Sequence, residues 1–594
     1  MKGLFEKYIG SVKKVPAHEL ERFCADIRRF LITNISKTGG HLASNLGVVE
    51  LTVALHRVFD TSLDRIVFDV GHQCYTHKLL TGRKDGFASL RALGEMSGFP
   101  KPSESGHDAF IAGHASTSVS AALGMARARS LLGETYRCVA VLGDGALTGG
   151  LAYEGLNDAG QSGEPLIVVL NDNGMSIRKN VGGVARHLAR LRLKPQYFKA
   201  KRFTHKVLDP LPGGKMVGKA IRRGKAMLKD ALIPGSMFSQ MGFEYLGPAD
   251  GHDVKTVAYL LRRAAAMKKP VLIHLVTQKG RGYPFSERNP GAYHGVKQFH
   301  IKSGEAVNGE EPSFARCFGE KLVELAEADP RVVAVTAAMQ SGCGLDLFAK
   351  RFPKRFFDVG IAESHAVTMA AAMAKQGLRP VVALYSTFLQ RAYDQIVHDV
   401  ALQNLPVVFA VSHAGLSGED GETHHGVFDP LFLSGIPNMT LWAAASFAEL
   451  GQMLSGALEL GTPVAIRYPK GCEGEEIGVL PAGRDATIVT YGMMTHIALE
   501  AAELLEQQGV STGVVKVSSL KPLEDIESLC SGSVFILEDN PGYVCRLIGG
   551  VPLNTGDRFI PHGSAEELLT YCGLDAVSIA GTISAALNAG RLYG

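Results

Sequence analysis

The sequence lacks the features of a secreted, membrane-spanning or zinc-binding protein. Its nine cysteines include no CxxC pair, and an odd number favours reduced thiols over a disulfide framework. No run approaches about 18 apolar residues, so we expect no membrane-spanning helix. The opening MKGLFEKYIG lacks the apolar core of a secretory signal. No HExxH motif occurs, and His424 and His425 are adjacent and cannot readily share a metal ion, so zinc is not expected. These absences predict a cytoplasmic protein.

Strong net charge is also missing. The chain carries a net charge of +4, with 20% charged and 46% hydrophobic residues, which is ordinary globular composition. The exception is a locally basic stretch, residues 178–229, for which three interpretations stay open. A nucleic-acid patch would fit the charge, but aromatic residues for base stacking are sparse there. A solvated helical face, or a positive flap near a phosphate site, needs no aromatic residues. We expect no nucleic-acid partner and no membrane partner.

The 594 residues are too many for a single hydrophobic core. Strand-like and helical patterns alternate along the whole chain, and polar, glycine-containing segments at 302–313 and 471–485 have the composition of linkers. We therefore predict three stacked, doubly wound α/β domains with mostly parallel sheets. Their predicted bounds are 1–301, 314–470 and 486–594.

One strand–helix–strand unit of the first domain ends both of its strands in polar residues. The apolar run Cys138–Leu142 is followed by GDG, and the run Pro165–Leu170 is followed by NDN. Between them, Leu151–Ala159 is rich in helix formers, and Gly160 is the expected helix stop. A right-handed crossover makes the two strands parallel.

Asp144 of GDG and Asn173 of NDN would then lie at the carboxyl ends of neighbouring strands, where open α/β sheets bind ligands. A carboxylate and a few neutral oxygens are a poor magnesium site alone, but phosphate oxygens can complete the octahedron. The pair therefore predicts a metal-bound phosphate ligand. The alternative is that GDG is only a tight turn and NDN only a polar loop.

Several long segments carry a resemblance to one family. They resemble the 1-deoxy-D-xylulose-5-phosphate synthases of the transketolase superfamily and include SKTGGHLASNLGVVELTVALH, DVGHQCYTHKLLTGR, GHASTSVSAALGMA, NDNGMSI, KGRGYPFSERNPGAYHGV, FFDVGIAESHAVTMAAAMA and DGETHHGVFD. The resemblance implies domains in the order diphosphate-binding, pyrimidine-binding and C-terminal. It also implies thiamine diphosphate and Mg²⁺ as cofactors, pyruvate and an aldehyde as substrates, and a homodimer. The expected product is 1-deoxy-D-xylulose 5-phosphate, a precursor for isoprenoids and thiamine.

The resemblance assigns cofactor roles residue by residue. Magnesium would be bound by Asp144, Asn173 and the carbonyl of Met175. Lys279 would neutralise diphosphate charge, and Phe388 would stack on the aminopyrimidine. The remaining implied cofactor contacts are His72, Gly113, His114, Ala115, Gly145, Ala146 and Tyr283.

It also assigns four catalytic residues. Glu363 corresponds to the family's glutamate, whose carboxyl group favours the reactive tautomer of the aminopyrimidine. On the residues alone, a surface glutamate at a helix N-terminus would be the commoner explanation. His41, His294 and His424 are the implied proton donors and acceptors.

The acceptor pocket departs from the family pattern. Family members bind the phosphate of D-glyceraldehyde 3-phosphate with arginines, and Arg467 retains one of them. Pro102, beside Lys101, and His413, beside Ser412, stand where the segments usually carry two others. Lys101 and a protonated His413 would compensate in part. The other implied substrate contacts are Tyr385 and Asp420.

Three interpretations follow from this departure. The first is the synthase reaction with D-glyceraldehyde 3-phosphate. The second is a paralogue with the same chemistry and a different or non-phosphorylated acceptor. The third is a non-catalytic regulatory homologue, and a transketolase proper is disfavoured by the segment matches. The C-terminal domain is also expected to be shorter than is usual in the family.

Overall fold

The structure is a computed structural model that describes residues 4–176, 178, 180–192, 237–307, 309, 312–471, 483–523 and 525–593. Most of the basic stretch at 178–229 and most of the predicted linker at 471–485 lie outside the described residues. The chain divides into two compact units: the first is Met1–Leu90 with Gly98–Val307, and the second is Arg91–Ser97 with Asn308–Gly594. The predicted division into three domains stays a prediction.

Among its described residues, the first unit contains one five-stranded parallel sheet with the strand order β1-β2-β3-β5-β4. Every residue of β3 is buried, because helices cover both faces of a parallel sheet and both faces therefore favour Val, Ile and Leu. The strands are β1 (Arg65–Phe68), β2 (Cys138–Gly143), β3 (Leu166–Asp172), β4 (Glu244–Asp250) and β5 (Val271–Val276).

Helices connect these strands. The helices of the first unit are α1 (Leu4–Tyr8), α2 (Leu20–Thr38), α3 (Leu42–Leu46), α4 (Val49–Val58), α5 (Tyr75–Leu80), α6 (Ser118–Leu132), α7 (Gly150–Ser162), α8 (Gly182–Arg192), α9 (Met237–Gln240), α10 (Val254–Ala265) and α11 (Pro284–Arg288).

The predicted helix stop at Gly160 is wrong. Helix α7 continues through Gly160 and ends at Gly163, which adopts the left-handed conformation at φ 70° that favours glycine. Gly160 has a packing role instead, because a Cβ atom there would lie 1.8 Å from the carbonyl oxygen of Met241. A glycine inside a helix can therefore mark a close approach rather than an end.

The second unit contains two sheets. A seven-stranded sheet has the order β14-β10-β11-β9-β8-β6-β7, and a four-stranded sheet has the order β13-β12-β15-β16. All pairs are parallel except β10 with β14. The strands are β6 (Val332–Thr336), β7 (Phe356–Asp358), β8 (Arg379–Tyr385), β9 (Val408–Ala414), β10 (Thr440–Ala443), β11 (Val464–Pro469), β12 (Ala486–Thr490), β13 (Thr512–Lys516), β14 (Ser519–Lys521), β15 (Ser533–Leu537) and β16 (Val551–Leu553).

Helices again separate most of these strands, and a π-helical turn covers Ile396–Ala401. The α-helices of the second unit are α12 (Phe314–Ala328), α13 (Asp346–Arg351), α14 (Glu363–Lys375), α15 (Ser386–Leu389), α16 (Tyr393–Gln395), α17 (Asp429–Ser434), α18 (Phe447–Leu460), α19 (Met494–Gln507), α20 (Val544–Ile548), α21 (Ala565–Cys572) and α22 (Ala576–Tyr593). The predicted α/β class with mostly parallel sheets is confirmed.

One hydrophobic cluster joins the two sheets of the second unit. Val489 and Ile536 of the four-stranded sheet lie in the same buried cluster as Val382 and Phe409 of the seven-stranded sheet. Strand β14 follows β13 in the chain but pairs with β10. The predicted second and third domains are therefore joined by packing and by a strand.

One helical stretch, Ala565–Ala589, is long and apolar enough to span a membrane, with a mean hydropathy of 1.3. Gly573, at φ 69°, divides it into α21 and α22. Ile579 and Ile583 are buried in the core beside the four-stranded sheet. In all, 28% of its apolar window is buried within the structure.

Candidate active site

The GDG turn and the loop after β3 lie against each other at the carboxyl edge of the first sheet. The Gly174 N–H donates a 2.7 Å hydrogen bond to Asp144 Oδ2. A Cβ atom on Gly145 would lie 2.9 Å from the Cβ atom of Ser176, so glycine is needed for the two loops to approach. The strands therefore bring Asp144 beside the residue that follows Asn173.

Asp144 has the character of a metal ligand. Its Oδ1 atom is buried and accepts no hydrogen bond. Burial, followed by the neighbouring Asp172 carboxylate, raises the pKa of Asp144 well above its ordinary value. Among the described residues, no group of three or more His, Cys, Asp and Glu side chains could hold a metal ion. The open, buried Oδ1 atom of Asp144 fits a divalent cation whose remaining ligands would be carbonyl, amide and phosphate oxygens.

The other predicted ligands lie in the same loop. Asn173 Oδ1 accepts a 3.0 Å hydrogen bond from the Met175 N–H, which fixes the turn between the two residues. The roles of Asn173 and of the Met175 carbonyl as metal ligands stay predictions.

The buried Lys279 and the partly buried His294 form a pair in the same unit. Burial lowers the pKa of Lys279 to about 8, and the negative charge of Asp144 opposes this shift. The Lys279 Nζ atom lies 3.1 Å from His294 Nδ1 and also donates to the Ser176 carbonyl. Burial and the charge of Lys279 hold the pKa of His294 well below its ordinary value. Because an ammonium group only donates, Nδ1 accepts and the proton of the neutral ring lies on Nε2.

Three predicted histidines lie close together around this pair. Ring centroids are 5.0 Å apart for His72 and His294, 5.6 Å for His41 and His72, and 5.9 Å for His41 and His294. The Tyr75 hydroxyl accepts a 3.2 Å hydrogen bond from the His41 N–H. Asn45 donates to the carbonyls of His41 and His72 at 2.6 and 2.7 Å. The sequence reasoning missed Tyr75 and Asn45, which position the cluster.

The GHAST loop, with Gly113, His114 and Ala115, is tied to the same edge of the sheet. Asp69, which is buried just after β1, accepts hydrogen bonds from the backbone N–H groups of Ser116 and Ser118 at 2.7 and 3.0 Å. The Ser116 hydroxyl donates to the carbonyl of Ala146 at 2.7 Å, which joins the loop to the GDG turn. Asp69 and Ser116 were not predicted, although the DVGH segment that contains Asp69 offered a signal.

Tyr283 is predicted to contact the cofactor. Its hydroxyl donates to the carbonyl of Ile301 at 3.0 Å, and burial raises its pKa to about 12. The residue is therefore a neutral phenol whose polar atom already has a protein partner. Contact with the cofactor stays a prediction.

In the second unit, Glu363 is the first residue of α14 and is 5% exposed. Burial raises the pKa of Glu363, while the Arg391 guanidinium, 3.8 Å away, opposes the shift. A glutamate that only capped a surface helix would be exposed. Its burial with a raised pKa favours a carboxyl group that can hold or share a proton.

Predicted site residues of the second unit form a stack of rings. Tyr385 lies between His413, with ring centroids 3.7 Å apart, and Phe388, at 5.3 Å. His424 meets Phe388 edge to face at 5.6 Å, and its Nδ1 atom is 2.8 Å from the Thr423 hydroxyl. Burial lowers the pKa of His424, so the ring is neutral at physiological pH. The structure thus brings Tyr385, Phe388, His413 and His424 together.

Two predictions for the acceptor pocket need correction. A protonated His413 is wrong, because burial, then the charge of Lys470, lowers its pKa to about 3. Arg467 is only 3% exposed and bonds Asp429 at 2.9 Å and Asp539 at 3.2 Å. Two carboxylates already neutralise this guanidinium, so the structure does not support Arg467 as a ligand of the acceptor phosphate.

The other two predicted substrate contacts also have protein partners. Asp420 forms a 2.7 Å ion pair with Arg91 in the second unit. In the first unit, the backbone N–H of Lys101, not its side chain, donates to Asp108 Oδ2 at 2.8 Å, and Arg83 and His77 also bond this carboxylate. The segment that carries Lys101 is therefore held by a buried ionic network.

Comparison with known proteins gives consistent matches along the chain. Residues 7–277 match a family model described as 1-deoxy-D-xylulose-5-phosphate synthase. Residues 310–472 match the transketolase pyrimidine binding domain, and residues 475–543 match the transketolase C-terminal domain.

Whole-length relatives agree with these matches. The chain is similar to the 1-deoxy-D-xylulose-5-phosphate synthase of Clostridium kluyveri, with 47% identity over 96% of both chains. It is 48% identical to the enzyme of Carboxydothermus hydrogenoformans over 95% of both chains. It is 49% identical to the enzyme of Desulforudis audaxviator over 96% of this chain and 92% of that one.

Proposed function

The chain belongs to the 1-deoxy-D-xylulose-5-phosphate synthase family, and from this premise we propose how its residues serve the reaction. The protein is a thiamine-diphosphate-dependent transferase of the transketolase class. It decarboxylates pyruvate and transfers the two-carbon unit to D-glyceraldehyde 3-phosphate, which gives 1-deoxy-D-xylulose 5-phosphate. The observation that carries the assignment of the site is the buried Asp144 Oδ1 atom, which accepts no hydrogen bond, beside the Gly174 N–H.

The first unit would hold the charged end of the cofactor. Asp144, Asn173 and the Met175 carbonyl would ligate Mg²⁺, and Lys279 would offset diphosphate charge. When bound, thiamine diphosphate would supply a nucleophilic carbon that adds to the pyruvate carbonyl and a cationic ring that takes up the electron pair left by loss of CO₂. His294, with its proton on Nε2, would donate to a developing alkoxide, and the adjacent His41 would assist.

The second unit would supply the acid–base partner of the aminopyrimidine. Glu363, with its raised pKa, would share a proton with N1′ of that ring. The Phe388 ring would stack on the ring face, and His424, edge-on to Phe388, would transfer protons as the acceptor reacts. Magnesium as the natural metal, a homodimer and a cytoplasmic location belong to the same proposal. All eight cysteines among the described residues are free, which supports a reducing compartment.

A product assay tests the function. Purified protein with thiamine diphosphate and Mg²⁺ should convert carbon-13-labelled pyruvate and D-glyceraldehyde 3-phosphate to labelled 1-deoxy-D-xylulose 5-phosphate with release of CO₂. Chelation of the metal should abolish the signal, and excess Mg²⁺ should restore it. Cleavage of a ketose phosphate without CO₂ release from pyruvate would instead indicate a transketolase, and cofactor binding without turnover would indicate a regulatory homologue.

A specific observation favours testing a non-phosphorylated acceptor as well. His413 is neutral and Arg467 is paired with two carboxylates, so neither offers a free positive charge to a phosphate. A free aldehyde, such as D-glyceraldehyde, should therefore be assayed beside the phosphorylated acceptor. Comparable kcat/KM values would favour the paralogue with a non-phosphorylated acceptor.

A further inference from the structure

Arg192, the last residue of α8, lies against the loop that carries the predicted metal ligands. Its Nη1 atom donates a short hydrogen bond to Asp172 Oδ1. A Cβ atom on Gly174 would lie 3.0 Å from Nη1 and 3.1 Å from Nη2 of Arg192. Glycine at position 174 therefore leaves the space that the guanidinium occupies.

Asp172 connects this arginine to the core of the sheet. It is fully buried at the end of β3, and its Oδ2 atom lies 2.9 Å from His274 Nε2. The other ring nitrogen of His274 is 2.7 Å from the Tyr245 hydroxyl. Both oxygens of Asp172 are thus held by protein groups, whereas Asp144 Oδ1 accepts no hydrogen bond.

Two buried carboxylates lie side by side at this point. Burial and the Asp172 carboxylate both disfavour the ionised form of Asp144. Burial would raise the pKa of Asp172 as well, but hydrogen bonds with His274 and with Asp144, and then the charge of Arg192, lower it. Asp172 therefore has a protein partner at each oxygen, and the open oxygen of this carboxylate pair is Asp144 Oδ1.

We propose that Arg192 is a positioning residue for the magnesium–diphosphate site. It acts through Asp172, which it holds together with His274, so that Asp144 is the carboxylate available to the metal. Without the guanidinium, Asp172 Oδ1 would lose its hydrogen-bond partner and would compete with Asp144 for the metal ion. Residues that orient metal ligands commonly contribute about 10–100-fold to metal affinity. This inference rests on the proposed function.

Titration calorimetry with thiamine diphosphate at a series of Mg²⁺ concentrations tests the proposal without measuring turnover. In Arg192→Gln, the Mg²⁺ concentration that gives half-maximal cofactor binding should rise about tenfold or more. Arg190→Gln is the matched control, because Arg190 is an exposed arginine of the same helix. Its Mg²⁺ dependence should equal that of the wild type.

A double-mutant cycle separates positioning from general stability. If Arg192 acts through Asp172, adding Arg192→Gln to Asp172→Asn should produce little further shift, because the charge to be compensated is already gone. A full additional shift in the double variant would overturn the proposed route through Asp172. Should Arg192→Gln not fold, Arg192→Lys carries the test, since lysine keeps the charge but loses the planar fork.

The outcomes also distinguish this inference from the proposed function. If wild-type protein binds the cofactor equally with Mg²⁺ and with chelator, the metal assignment itself fails. If wild-type binding needs Mg²⁺ but Arg192→Gln has the same dependence, only the role of Arg192 is overturned. A lower melting temperature of Arg192→Gln with an unchanged Mg²⁺ midpoint would likewise overturn the role of Arg192, because it indicates a purely structural residue.

Discussion

At the residue scale, the burial of Glu363 decides between a helix cap and an acid–base group. A carboxyl group that is 5% exposed gains little from solvent, and burial raises its pKa, which favours a group that can hold a proton. Glu363→Gln should leave cofactor affinity within a few-fold and reduce kcat by about 100- to 10,000-fold. Calorimetry and steady-state kinetics on the same preparation measure both effects. Unchanged turnover would return Glu363 to a structural role.

His413 gives a prediction about pH. Its pKa of about 3 lies below the unperturbed value, so the ring gains a proton only near pH 3 and is neutral from pH 8 to pH 6. Acceptor affinity should therefore not improve through His413 as the pH falls over that range. The phosphorylated acceptor titrates near pH 6 itself, so wild type and His413→Gln must be compared. Parallel KM profiles are expected, whereas a profile that flattens only in the variant would mean that His413 is protonated.

At the element scale, Gly160 of helix α7 is a glycine that a close backbone contact requires. Gly160→Ala should destabilise the protein by about 1–3 kcal/mol or more, because the new Cβ would overlap the Met241 carbonyl. Gly124→Ala is the matched control in α6, where a Cβ would meet nothing within 4 Å. That change should be neutral or stabilise by about 0.5–1 kcal/mol. Thermal unfolding should show opposite or clearly unequal shifts, and equal shifts would contradict the packing role.

The elements also show how far the sequence could lead. Strands β2 and β3 were predicted to within two residues because both are continuous apolar runs bounded by turn residues. Strand β4, with the sequence EYLGPAD, has no such pattern, and its pairing with β5 defines it. Strand β14 has only three residues and exists because β10 lies beside it. Short strands set by a distant partner leave little signal in their own sequence.

The same limit applies to the site. The residue types at Asp144 and Asn173, and the order of the strands that carry them, predicted that both loops would meet at one edge. The partners of Arg467 could not be predicted, because Asp429 is 38 positions away and Asp539 is 72 positions away in the chain. An arginine in a family segment can bind a charged ligand or form a buried ion pair, and only the fold distinguishes the two.

At the scale of the whole molecule, the second unit is one compact unit that contains two sheets. A single buried cluster includes residues from both sheets, and β14 crosses from one to the other. We therefore expect β9 of the seven-stranded sheet and β15 of the four-stranded sheet to lose hydrogen-exchange protection together. Protection that is lost first in the four-stranded sheet would indicate that the C-terminal segment unfolds independently.

The ionic network around Arg467 provides the sharpest test of this coupling. Arg467 lies on β11 of the seven-stranded sheet, Asp429 is the first residue of α17, and Asp539 follows β15 of the four-stranded sheet. Asp429 also accepts a 2.9 Å hydrogen bond from the Ser386 hydroxyl, two residues before Phe388. Arg467→Met would leave the buried Asp429 and the partly buried Asp539 without a counter-charge, and an unpaired buried charge commonly costs about 3–5 kcal/mol. The exposed pair of Arg316 with Glu320 provides the control, and Arg316→Met should change stability by less than about 0.5 kcal/mol.

Hydrogen exchange should show that Arg467→Met weakens β11 and β15 alike. If only the Michaelis constant for D-glyceraldehyde 3-phosphate rises while protection in both strands is unchanged, Arg467 binds the acceptor phosphate after all.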